Sequence, residues 1–268
     1  MSPTKSLAEY GDPTDRATAE RLEAEDSLAH FKNQFVITDP TMCYLDGNSL
    51  GRLPRATVSA INEYMIREWG NELVDGWSHW IDEAQPTGNL LGRATLGAAE
   101  GQVLVCDTTS VNFYQLCVAA IKARPGRKTV IIDAANFPTD RFILAGIAEH
   151  FGLNLITLNN DGTGGPGSVD VDADCEMITP EILERFMNDD VALVTLQVIH
   201  YRSGSRPQVK AITDLAPKHV VYVACDPVSL ARDLKQLLAE GYELKAIRAF
   251  DLFPHTHHFE TVASLVRK

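Results

Sequence analysis

Apolar and polar positions change period several times along the chain, and these changes divide it into elements. Ala17 to Leu28 carries apolar residues at helical spacing within a polar, acidic stretch, which predicts a surface helix. Asp46-Gly47-Asn48-Ser49-Leu50-Gly51-Arg52-Leu53-Pro54 reads as a turn-rich connector ahead of a helix from about Ala56 to Trp69. From Gln102 a regular alternation sets in. β-rich runs at Val103-Leu104-Val105, Thr129 to Ile132, Leu153 to Leu158 and Val191 to Val198 are separated by helical stretches at Val111 to Lys122, Thr139 to Phe151 and Pro180 to Met187. Such alternation predicts βαβ units around a parallel sheet, an α/β fold. The rhythm continues through a short helix ending near Ala216, a strand from His219 to Val223 and a helix from Val228 to Glu240. A strand from Tyr242 to Phe250 and an apolar run from Thr261 to Val266 complete it. The pattern leaves the strand order of this last part open.

Between the third run and its helix lies Asn159-Asn160-Asp161-Gly162-Thr163-Gly164-Gly165-Pro166-Gly167, followed by Asp170, Asp172 and Asp174. A phosphate-cradling loop needs Lys-Ser or Lys-Thr after its last glycine, and a calcium loop needs a closing Glu. With neither present, a mobile surface loop is expected.

Composition narrows the function classes. A net charge of −12 disfavours nucleic acid as a partner of the whole chain. From Pro217 onward, however, seven basic residues face six acidic ones, so the acidity belongs to the front. The five cysteines, Cys43, Cys106, Cys117, Cys175 and Cys225, have no metal-type spacing and suggest a reducing compartment. With no apolar signal core at Met1-Ser2-Pro3-Thr4-Lys5 and no membrane-length apolar window, a cytoplasmic protein is expected, without membrane partners and without a metal site.

Two places carry candidate chemistry. Thr108-Thr109-Ser110 closes a β-rich run and opens a helix, where hydroxyls, free N–H groups and the helix dipole can hold a phosphate; an ordinary N-cap is the alternative. Cys225 ends a strand just before a helix, which lowers a thiol pKa; an inert core cysteine is the alternative. The cluster Phe253-Pro254-His255-Thr256-His257-His258-Phe259-Glu260 lacks outside ligands, so it is weak as a metal site.

Four motifs in order, Tyr44 to Pro54, Cys106-Asp107-Thr108-Thr109-Ser110-Val111-Asn112, Asn136-Phe137-Pro138-Thr139-Asp140-Arg141 and Tyr201-Arg202-Ser203-Gly204, resemble bacterial kynureninases. The resemblance covers about residues 30 to 216, and the domain expected there is 1–216. It implies a truncated parallel-sheet core of pyridoxal-phosphate (PLP) fold-type I, the aspartate-aminotransferase-like large domain. It also implies a homodimer and hydrolysis of L-kynurenine to anthranilate and L-alanine, a step of tryptophan catabolism and NAD biosynthesis. Thr109 and Ser110 would hold the cofactor phosphate, Phe137 would cover the pyridine ring, and Pro138, Thr139 and Asp140 would line it. Trp77, His79 and Trp80 are candidates to lie near the substrate, with plain packing as the alternative.

The tail, 217–268, is similar to RNA uracil-C5 (5-methyluridine) methyltransferases through Cys225-Asp226-Pro227, Arg232-Asp233-Leu234 and Phe253 to Glu260. This implies a short Rossmann-methyltransferase-like α/β segment with Cys225 as nucleophile and Glu260 as base. S-adenosylmethionine would be the cofactor and RNA the partner. Where these families carry Ser-Cys-Asn-Pro, the chain has Ala-Cys-Asp-Pro. The junction is placed near Ala216-Pro217. It falls before the Schiff-base lysine of the first family and after the adenosylmethionine loop of the second. Lys235 and Lys245 do not match the lysine position, so an incomplete kynureninase is expected, with a methyltransferase or a non-catalytic fusion product as alternatives.

Overall fold

The computed structural model describes residues 11–12, 14–47, 49–160, 167–171, 177–215, 219–224, 227–250 and 260–268. The chain divides into two compact units, Met1–Trp77 and Ser78–Pro254 with His258–Lys268.

In the first unit, helices Arg16–Glu25 (α1), Arg55–Glu63 (α2) and Gly70–Glu72 (α3) are joined by loops and tight helical turns. Asp15 caps α1 by accepting from the N–H groups of Ala17 and Thr18, the reason the helix starts just ahead of its first apolar position. The expected helix from Ala56 to Trp69 spans α2 and a wider π-type turn, Tyr64–Trp69. Tyr44 donates its hydroxyl to the carbonyls of Asp46 and Leu50, closing the connector loop on itself. Ile66, Trp69, Leu73 and Val74 of this unit are exposed.

Trp77–Trp80 (α4) leads into the second unit, whose helices are Ala84–Leu91 (α5), Thr109–Lys122 (α6), Pro138–Phe151 (α7), Pro180–Glu184 (α8), Val209–Asp214 (α9) and Pro227–Ala239 (α10). Its strands are Thr129–Asp133 (β1), Asn154–Asn159 (β2), Val169–Asp170 (β3), Val191–Thr195 (β4), His219–Ala224 (β5), Tyr242–Phe250 (β6) and Glu260–Arg267 (β7). The first four form a parallel sheet in the order β3-β2-β1-β4. β1 is buried throughout, as its unbroken Thr-Val-Ile-Ile run requires of a strand covered on both faces. On one side α6 and α7 supply Cys117, Ile121, Leu144 and Ile147 against Val130 and Ile132; on the other Ile131 packs with Leu158, Ile178 and Ile182. The expected α/β class with a parallel-sheet core is what the structure has.

Two expectations change. Val103-Leu104-Val105 is not a strand of either sheet; it runs beside α5, where Gln85 Nε2 donates to the Val103 carbonyl. Gly88 and Gly92 leave room for it: a Cβ at Gly88 would fall on the Val103 carbonyl, and one at Gly92 would lie 2.7 Å from Val103 Cγ2. The start of the glycine-rich loop is also not a surface feature, since Asn159 and Asn160 are buried. Residues 161–166 and 172–176 of that stretch, with Asp172, Asp174 and Cys175, lie outside the described residues.

The tail does not extend the parallel sheet. Its strands form a separate three-stranded sheet, β5-β7-β6, in which β7 pairs antiparallel with both neighbours. β5 and β6 are therefore parallel to each other, with α10 as their crossover, the arrangement a βαβ unit demands. The core of this sheet, Leu230, Leu234, Leu237 and Leu265, closes over Val103 from the front, with Leu91, Leu96 and Val198 packed at its margin. No described helix is long and apolar enough to cross a membrane.

Candidate functional site

In an open parallel sheet, ligands bind outside the carboxyl ends of the strands, where neighbouring strands send their connections opposite ways. Here β1 and β4 are those neighbours. The sequence-derived candidates come to this edge by two routes, the helix starts of α6 and α7 and the loop that leaves β4.

At the start of α6, Thr108 is the N-cap, and its Oγ1 accepts from Val111 N–H at 3.3 Å. One hydroxyl thus does the capping, which leaves those of Thr109 and Ser110 for another partner. Both residues are half-buried, and their N–H groups precede the first intrahelical bond. The turn is fixed from within: buried Asn112 donates through Nδ2 to the carbonyls of Cys106 at 3.1 Å and Thr108 at 2.8 Å. Asp107 takes a positive φ of 53°, a conformation L-residues adopt only when the surroundings impose it.

At the start of α7, Asp133 accepts from Ala135 N–H at 2.8 Å and Asn136 from Phe137 N–H at 2.7 Å, so two buried side chains shape the turn after β1. Phe137 sits at the N-cap with Pro138 behind it, its φ suited to a first helical turn. Pro138 and Asp140 are half-buried and Thr139 is exposed. Burial pushes the Asp140 carboxyl up to about 6. Burial, and then the charge of Asp140, push the Cys117 thiol to about 12, which makes this cysteine inert at neutral pH.

The loop leaving β4 supplies the opposing wall. Gln197 Nε2 donates to the Ala135 carbonyl at 2.9 Å, tying this loop to the turn after β1. Tyr201 meets Phe137 edge to face, with centroids 5.2 Å apart, and stacks with His200 at 5.8 Å. Phe137 remains 49% exposed, leaving much of its surface open for another flat group. The sequence assigns no role to Asn136 and Asn160, which stand within the quoted motif and loop, and does not single out Thr195, Gln197 or His200. Asn160 follows β2 and Thr195 ends β4; the Asn160 amide, Thr195 Oγ1 and His200 Nε2 are buried without hydrogen-bond partners among the described residues. Their signal in the sequence is polar residues at the ends of apolar runs, where a core residue is expected.

Other candidates fare differently. Trp77 is exposed, while His79 and Trp80 pair edge to face at 5.7 Å. In the tail, Cys225, Asp226 and 251–259, including the three histidines, lie outside the described residues, as does Ala216-Pro217. Glu260 opens β7 opposite Phe250, and the next register pair, Ala224 with Thr261, sets the end of β5 beside the start of β7. Lys122, Lys128, Lys210, Lys235, Lys245 and Lys268 are exposed, and Lys245 pairs with Glu243 at 2.8 Å. Among the described residues, no group of His, Cys, Asp and Glu is placed to hold a metal.

The chain is 32% identical over 203 residues to the kynureninase of Pseudomonas fluorescens, an alignment that covers 73% of this chain. It is 32% identical over 208 residues to that of Deinococcus radiodurans, covering 75%. The front of the chain is kynureninase-like. The alignments cover 44% and 46% of those two relatives, so the chain spans less than half their length. The kynureninase of Burkholderia pseudomallei, 29% identical, is covered to 52%.

The tail matches the tRNA (uracil-5-)-methyltransferase family over residues 183–268. That match begins ahead of Ala216-Pro217 and includes β4, which is hydrogen-bonded to β1 of the kynureninase-like sheet. Solved structures align over most of the chain. A C-DES mutant with glycine covalently linked to its PLP cofactor aligns at TM-score 0.54 and 14% identity, over 91% of this chain and 60% of that one. The cysteine desulfurase CsdA from Escherichia coli aligns at 0.52 and 16%, over 91% and 58%. The kynureninase-like sheet therefore has the fold-type I architecture of PLP enzymes, and the methyltransferase-like tail follows it.

Proposed function

We propose that this chain is a PLP-binding protein of kynureninase lineage that does not by itself complete the hydrolysis of L-kynurenine to anthranilate and L-alanine. The observation that carries the reading is the open face of Phe137, braced by Tyr201 at the carboxyl edge of β1 and β4. Thr109 and Ser110, whose hydroxyls are spared from capping by Thr108, suit the cofactor phosphate at a helix start. Phe137 offers its ring to the pyridine, with Pro138, Thr139 and Asp140 alongside. When bound, PLP supplies an electron sink for breaking the Cβ–Cγ bond of the substrate. The chain's own residues orient and desolvate it.

In this reading completion fails because the described residues offer no anchoring base. A catalytic lysine needs desolvation to be unprotonated, and the described lysines of this unit are exposed. In the family motif the lysine, its aspartate partner and a histidine follow the segment at which the tail begins. The exposed apolar residues Ile66, Trp69, Leu73 and Val74, close together in sequence on one unit, are in keeping with the homodimer that the lineage implies. The proposed boundary is 1–216 and 217–268, with tryptophan catabolism and NAD biosynthesis as the setting of the lineage.

Titration with PLP, then borohydride reduction and mass mapping, tests this. Saturable binding with no lysine adduct and no kynurenine turnover is expected. Turnover would overturn the incompleteness, and absence of saturable binding would remove the PLP reading.

A second reading, S-adenosylmethionine-dependent methylation of RNA uracil through Cys225 and Glu260, draws on the register that sets the end of β5 beside the start of β7. Incubation with 5-fluorouracil-containing RNA and adenosylmethionine should then leave a covalent complex that Cys225→Ala abolishes. If neither ligand binds, the third reading, a non-catalytic fusion product, stands.

A further inference from the structure

The loop between β4 and α9 carries Gln197 and Tyr201 of the aromatic wall, and the tail holds it at both ends. Near its start, Val198 packs at the margin of the cluster built by Leu230, Leu234, Leu237 and Leu265. Near its end, Arg206 donates to both carboxylate oxygens of Asp233 on α10, at 3.0 and 3.3 Å. The Tyr222 hydroxyl of β5 donates to the same carboxylate at 2.5 Å. Between these anchors the loop is closed on itself by His200 N–H to the Ser205 carbonyl and Gly204 N–H to the His200 carbonyl, both at 2.8 Å.

Asp233 is 8% exposed, so the pair differs from a surface ion pair of negligible worth. A carboxylate out of water depends on its donors, and losing Arg206 would leave its charge held by the Tyr222 hydroxyl without a countercharge at hand. Arg206 stands ahead of the junction expected at Ala216-Pro217 and Tyr222 and Asp233 after it, while the methyltransferase family match, residues 183–268, takes in all three.

We propose that the methyltransferase-like tail is an intramolecular brace for the β4–α9 loop, with Asp233 as the positioning residue through which it sets the Tyr201 and Phe137 wall. The brace is a property of the chain's geometry; its consequence for ligand binding rests on the PLP reading above. A tail that merely covered Val103 would stabilise the sheet without governing this loop.

Hydrogen–deuterium exchange on the full chain, wild type against Asp233→Asn and Arg206→Gln, separates these. The His200 and Gly204 amides should exchange about tenfold faster in both variants, the effect of losing a charge-assisted hydrogen bond at a locally opening segment, while β1 and β2 amides keep their rates. PLP affinity should fall in parallel. Unchanged exchange at His200 and Gly204 in both variants would overturn the brace, and so would equal acceleration throughout β1 and β2. Should Asp233→Asn fail to fold, Arg206→Gln decides alone, because the Arg206 side chain is 43% exposed and its removal leaves Tyr222 on the carboxylate. A wild-type chain that binds no PLP would remove the ligand reading and leave the exchange result standing.

Discussion

Phe137 and Tyr201 meet edge to face at 71° and 5.2 Å, although one follows β1 and the other the strand beside it, β4. Each ring holds the other's orientation, so the free face of Phe137 is presented in one attitude. Phe137→Ala should weaken PLP binding by about 3- to 10-fold, the worth of one aromatic stacking contact. Because the ring is half exposed, the urea midpoint should hardly move. Parallel fluorescence titration and urea unfolding check both halves of the expectation.

Asp140 gives a pH signature. Its folded pKa of about 6 stands above the ordinary 3.8, so the folded state holds the proton more tightly between those values, and stability falls as pH rises through that window. Above about pH 6 the charged, part-buried carboxylate is a standing cost. Asp140→Asn should therefore stabilise the chain by about 1–2 kcal/mol at pH 8, allowing for residual solvent contact, and by almost nothing below pH 4. Urea unfolding at the two pH values reads the difference.

Gly88 is the seat of Val103. Alanine there would gain about 1 kcal/mol of helix propensity, yet its methyl would strike a backbone carbonyl rather than a movable side chain, at a cost of about 1–3 kcal/mol. A net loss of up to about 2 kcal/mol is expected for Gly88→Ala, measured by chemical unfolding. A gain in stability would mean that Val103 is not held against α5.

Asn112 holds the turn before α6 through two buried hydrogen bonds. Asn112→Ala should cost about 1–3 kcal/mol by leaving the Cys106 and Thr108 carbonyls short of donors. It should also loosen the Thr109 and Ser110 site, so affinity for inorganic phosphate and PLP should drop together in calorimetric titration.

Periodicity located the β1-α7-β2 succession almost residue for residue, because a wholly buried parallel strand and an amphipathic helix each leave a local trace. The helix starts at Thr109 and Pro138 are legible for a related reason, since hydroxyls and proline mark them, whereas a cofactor role for Thr109, Ser110 and Phe137 to Asp140 comes only from the family resemblance. What was not legible is partnership. The run Val103 to Val105 has the composition of a strand, and only the facing Gly88 and Gly92, several residues earlier, make it a packed extended segment instead. Tyr242 to Phe250 was found in full, but nothing in it announces that its neighbour would be β7. Asn160 and His200 escaped because polarity reads as exposure until the fold is known.

The central position of β7 has a consequence for synthesis. β5 and β6 have no hydrogen bonds to each other, and the strand that joins them is made after both. A nascent chain assembles from its amino end at about 5–20 residues per second, so the front sheet emerges while Val103 and the buried face of α10 still lack their cover. That interval, seconds long at this rate, leaves apolar surface and two strand edges open until β7 is made.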